Sequence, residues 1–121
     1  MPVASLRHKH GRQLGELAAK LAETLPDIIA PALNVEGREL HDGKVTADEI
    51  DVRCEEGQAA DVNAKDLEIM IFAHDFPERS ANLEDRKKLI LEGVLAFLAD
   101  WDRNVTGFVW VILAPTAFGS F

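Results

Sequence analysis

Tyrosine is absent from this chain, which excludes a phenolic acid or electrophile from any site it builds. Cysteine occurs once, at Cys54, so no internal disulfide can form and the expected compartment is reducing, the cytoplasm. Cations are the minority charge: 13 Lys and Arg against 21 Asp and Glu give a formal net charge of -8 at pH 7. That balance argues against a general nucleic-acid or membrane surface, both of which are bound mainly through excess Lys and Arg. An anionic ligand must then be caught by a few placed arginines. No apolar run approaches the ~20 residues of a membrane span or follows a basic signal-like start, and no low-complexity segment interrupts the chain. What is present is a 47% hydrophobic content over 121 residues, enough for one domain with its own core.

The pattern along the chain changes period in a regular order. Residues 3–7 are a short strand leading to a break at Gly11. Leu14, Leu17, Ala18, Leu21, Leu25, Ile28 and Ala32 then recur at three- and four-residue steps, the apolar face of a helix from about Arg12 that Pro26 and Pro31 should kink or restart. Residues 34–44 carry two glycines and mixed charge without period and form an exposed connection. Residues 49–55 alternate at period two, a half-buried strand with Ile50, Val52 and Cys54 inward and Arg53 on the other face. Residues 67–73 form a central strand. Residues 77–82 are a loop, Asn82 an N-cap, and Leu83, Ile90, Leu91, Val94, Leu95, Phe97, Leu98 and Trp101 the apolar face of a second helix. Residues 108–113 are the last strand. The order is strand, helix, strand, twice over, with an arginine leading into each helix, Arg12 and Arg79.

The fold expected is therefore α+β: one domain over residues 1–121, made of two β-α-β halves, about 1–62 and 63–121, joined in a four-stranded mixed sheet with both helices on one face. Phe108, Trp110, Phe118 and Phe121 are left over for the other face, which identical subunits would cover in a symmetric oligomer. Pro2 stands at the start of the first strand. If Met1 is removed, which a following proline permits, Pro2 becomes a secondary amine. An ordinary α-amino group titrates near ~7.7 to 8.0, and burial and nearby cations would lower that toward the neutral range where a general base works best.

Pro2 behind Met1, Gly11-Arg12 before the first helix, Val52-Arg53 in the second strand, residues 78–83 (Glu-Arg-Ser-Ala-Asn-Leu) opening the second helix and the strand at 109–113 together resemble the tautomerase superfamily in its fused, two-unit form. The resemblance covers most of the chain and departs from it at residues 34–48 and 8–10. It implies a cofactor-free tautomerase or isomerase that moves a proton in a small unsaturated keto or enol carboxylic acid, assembled as a homotrimer. Pro2 would be the base. Arg12, Arg53 and Arg79 would hold carboxylates or lower the Pro2 pKa, and Phe118 would keep the site dry. His74 and Trp110 are secondary candidates. The resemblance implies no metal and no cofactor.

Each residue also has a plainer reading. Arg53 could pair only with Asp51, Glu49 or Glu55; Arg12 and Arg79 could be solvated; Phe118 could be packing at a subunit contact; Cys54 reads as a core thiol. The pair His8 and His10 lacks a third ligand at recognisable spacing. Two rival functions stay open: a dehalogenase or decarboxylase of the same superfamily, with protonated Pro2 as acid, and a non-catalytic oligomeric binding protein of the same fold.

Overall fold

The computed structural model describes residues 2–35, 44–102, 104–115 and 119. Strand β1 is Val3–His8, helix α1 Gly15–Leu33, strand β2 Asp51–Glu56, strand β3 Leu67–His74, the single turn α2 Pro77–Ser80, helix α3 Leu83–Ala99 and strand β4 Gly107–Ala114. A 3-10 turn at Ala47–Glu49 leads into β2.

The four strands form one mixed sheet in the order β2-β1-β3-β4. β1 runs parallel to β2 and β3 parallel to β4, as β-α-β crossovers require. The two units meet through an antiparallel β1–β3 pair with Val3 opposite Phe72 and His8 opposite Leu67. Period-two alternation sends Ala4, Leu6, Leu67, Ile69, Ile71 and Ala73 toward the helices, where they are buried with Leu17, Leu21, Leu25, Ile29 and Leu33 of α1 and Ile90, Val94 and Leu98 of α3. The helices also touch each other closely: a Cβ on Gly93 would lie 2.7 Å from Ile28 Cγ2. Gly11 turns the chain out of β1 with φ of +79, a backbone that L side chains rarely adopt.

Four expectations need correction. α1 runs unbroken through Pro26 and Pro31. Both prolines lie off its buried stripe, so the carbonyls they leave without an N–H partner are on the side nearer water, and the buried stripe holds the helix together. Cys54 is exposed rather than in the core, because β2 is an edge strand and its second half extends beyond the helix cover. The apolar stripe of α3 is narrower than its composition implies: Leu95 is 55% and Trp101 45% exposed. Residues 77–82, expected as a loop, contain the α2 turn, with Pro77 at its first position.

The face of the sheet away from the helices is open in the single chain. Arg53, Ser5, Met70 and Trp110 lie in one cross-strand row, and Met70, Phe72 and Trp110 are exposed large apolar residues on it. Among the described residues no helix is long and apolar enough to cross a membrane.

Candidate functional site

Antiparallel pairing of β1 with β3 puts two chemically different clusters at opposite ends of the sheet. The first surrounds Pro2. It is buried, its carbonyl accepts a hydrogen bond from the Asp51 N–H at 3.2 Å, and one step beyond the Val3–Phe72 pair it stands opposite Ala73. The end of β3 brings His74 to the same edge. The His74 ring meets Phe76 edge-on, with centroids 4.5 Å apart, and the Arg79 guanidinium lies 5.0 Å from the Phe76 ring centre.

Arg79 is 1% exposed. Its Nε donates to the Leu33 carbonyl at 2.8 Å and its Nη1 to the His74 carbonyl at 2.9 Å. Leu33 is the last residue of α1, so this cation sits on a helix C-terminus, where orphan carbonyls and the helix dipole both favour positive charge. Arg86, which no local sequence signal marks, does the same for the neighbouring carbonyls of Ala32 and Asn34 at 2.9 and 2.8 Å. Its Nε also donates to the Asn82 side-chain oxygen at 2.7 Å, and Asn82, expected as the N-cap, makes no side-chain cap bond to α3. Burial lowers the Arg86 pKa, but from so high a starting point that the group stays charged.

Arg12 lies at the other end of β1 from Pro2. Seven residues of extended chain separate Pro2 from Lys9, about 23 Å at ~3.3 Å per residue, so one chain does not bring Pro2 and Arg12 together. Arg12 Nη1 donates to Asp66 Oδ2 at 2.5 Å and Nη2 to Asp102 Oδ2 at 3.4 Å. Asp66 was also missed. It is buried, and its Oδ2 accepts in addition from the Thr106 N–H at 2.9 Å and the Thr106 hydroxyl at 3.1 Å. Burial alone would raise its pKa; the hydrogen bonds from Thr106 and Arg12 outweigh that and hold the carboxyl below its ordinary value. The only sequence signal for it was an acidic residue directly before an apolar strand.

Arg53 stands apart from both clusters. Its side chain is 72% exposed on the open face of β2 and pairs with Asp51 at 3.1 Å. Trp110 lies on the same open face, two strands beyond Ser5 in the shared row. Phe118 lies outside the described residues. A separate apolar cleft of about 320 Å³ opens between α3 and the start of β4, lined by Leu67, Leu95, Leu98, Thr106 and Val109 among others. Among the described residues no group of His, Cys, Asp and Glu could hold a metal ion.

Comparison with known proteins places the architecture. No family model and no curated protein matches the sequence. Solved structures do match in shape. A wild-type fused 4-OT described as an asymmetric trimer superposes with a TM-score of 0.60 at 14% identity, over 98% of this chain and 91% of that one. Pt0534 inactivated by 2-oxo-3-pentynoate gives 0.55 at 12% identity, over 98% and 90%. A probable enzyme from the thermophilic fungus Aspergillus fumigatus gives 0.61 at 15% identity, over 95% and 76%. The chain has the tautomerase-superfamily fold, in the form in which one polypeptide carries two β-α-β units.

Proposed function

We propose that this protein is a cofactor-independent tautomerase or isomerase of a small unsaturated keto or enol carboxylic acid, with Pro2 as its general base after removal of Met1. The observation that carries the reading is the position of Pro2: buried at the head of a central strand, at the sheet end that also holds His74, Phe76 and the buried Arg79 cation. A nearby cation and burial both favour the uncharged amine, which is the basic form. The lone pair of Pro2 takes a proton from carbon or an enol hydroxyl of the substrate, electrons shift through the conjugated system, and the same N–H returns the proton at another carbon. No net oxidation occurs and no co-reactant is consumed.

Arg79 enters as a fixed positive charge, since two of its donors are committed to main-chain carbonyls. The substrate carboxylate then needs a more accessible guanidinium, and Arg53 of a neighbouring chain fits that part: it is planar, permanently charged and exposed on the open face. Trimerisation would cover the Met70, Phe72 and Trp110 surface and deliver that arginine. The fused 4-OT of similar shape is itself described as a trimer. One observation favours the rival reading of a non-catalytic oligomeric binding protein: the burial of Arg79 gives that residue a complete structural explanation.

The test joins intact mass to kinetics. The expected result is a protein lacking Met1 that ketonises a simple enol such as phenylenolpyruvate, with Pro2→Ala slower by roughly 10²- to 10⁴-fold, the usual share of a positioned base. Retained Met1, which leaves the Pro2 nitrogen a tertiary amide without a basic lone pair, or full activity in Pro2→Ala, moves the binding-protein reading to the front.

A further inference from the structure

The Arg12 end of the sheet mirrors the Pro2 end. Asp66 immediately precedes β3 as Pro2 immediately precedes β1, and Arg12 follows β1 toward α1 as Arg79 follows β3 toward α3. At this end the space is taken up by a carboxylate of the chain itself. One oxygen, Asp66 Oδ2, receives three donors: Arg12 Nη1 at 2.5 Å, the Thr106 main-chain N–H at 2.9 Å and the Thr106 hydroxyl at 3.1 Å. A guanidinium, a main-chain N–H and a hydroxyl converging on one oxygen are the donor types that hold a bound carboxylate. The Asp66 side chain is only 8% exposed, whereas Arg12 is 40% exposed, so the anion is enclosed and the cation reaches it from the solvent side. Asp102, also 40% exposed, meets the other Arg12 nitrogen and leaves the three donors on Asp66 undisturbed.

We infer that Arg12 and Thr106 form a small-carboxylate site that Asp66 fills and shuts from within. The inference uses the internal repeat and the donor geometry; only its corollary, that each chain offers a single working end, rests on the proposed Pro2 chemistry. The ligand class follows from what the side chain supplies. Deleting it to glycine removes the equivalent of acetate, and deleting it to alanine removes the equivalent of formate.

The experiment is rescue of folding by added carboxylate, which needs no activity measurement and so stands or falls apart from the Pro2 reading. Asp66→Gly is titrated with sodium acetate and Asp66→Ala with sodium formate, each against sodium chloride at equal ionic strength, following circular dichroism and the thermal midpoint. The expected result is a midpoint that climbs with the logarithm of carboxylate concentration, as binding to the folded state alone demands. Wild type and Asp66→Asn, in which the space stays full, should not respond. The response should also vanish in Asp66→Gly combined with Arg12→Gln. The inference is overturned if the carboxylate does no more than chloride, if Asp66→Asn responds equally, or if both truncated variants stay unfolded with and without their carboxylate.

Discussion

Replacing Arg79 by methionine separates a structural cation from a substrate-binding one. The substitution keeps an unbranched apolar stem in a site that is 1% exposed and removes the donors to the Leu33 and His74 carbonyls. Hydrogen bonds from a charged donor contribute about 1.5–3 kcal/mol each, and the stranded carbonyls add their own desolvation penalty. A loss of about 4 kcal/mol is a cautious total. A chain of 121 residues has an unfolding entropy near 0.25 kcal/mol/K at about 2.1 cal/mol/K per residue, so the midpoint should fall by roughly 16 °C. Arg79→Lys keeps the charge but not the planar fork, and about half of that fall is expected. Thermal melts followed by circular dichroism, at one fixed protein concentration so that assembly does not shift the midpoint, give the answer. If Arg79→Met melts within about 4 °C of wild type, the two main-chain bonds are not what holds α1 to the end of β3, and the reasoning fails.

Three further outcomes follow. Gly107→Ala would place a Cβ 2.4 Å from the Leu67 carbonyl oxygen, a backbone atom that cannot step aside, so the start of the β3–β4 pair must open; a markedly lower urea midpoint is expected, and a wild-type midpoint would disprove the close approach. Asp66, with its folded pKa depressed, contributes stability that is complete above the unfolded carboxyl value near ~3.9 and disappears as pH falls through the lower folded value. The stability gap between wild type and Asp66→Asn should therefore narrow below about pH 4, measured by urea unfolding across the acid range. Trp110→Glu, on the exposed sheet face, should convert the expected trimer to single chains in light scattering while leaving the circular dichroism spectrum intact; an unchanged mass would place the subunit contact elsewhere.

Much of the architecture was legible because its signals are local. The period-two alternation at residues 49–55 and the apolar run at 67–73 specify strands whatever surrounds them, and the heavy stripe from Leu17 to Leu33 specifies a helix strong enough to run through two prolines. What was not legible depends on neighbours distant in sequence. Cys54 has the alternation of a buried residue, but its exposure is decided by how far α1 extends over an edge strand. Arg79 leads into a helix start, where the dipole opposes cations, and its guanidinium reaches instead the C-terminus of another helix, Leu33, 46 residues earlier. Asp66 and Arg12 meet across 54 residues, and nothing near either one in sequence announces the partner.

The placement of β1 also fixes an order of events during synthesis. Of the four strands this one is made first yet occupies an interior position, with β2 on one side and β3 on the other. Its antiparallel neighbour is complete only at His74, 66 residues after His8. At about 5–20 residues per second that interval is about 3–13 s. Until Leu33 is made the nascent apolar strand lacks even the whole of α1 to shelter it, and until His74 it has no finished sheet. A chaperone that holds short apolar strands would have its opportunity then, and slowing translation between residues 56 and 67 would lengthen that exposure without changing the folded product.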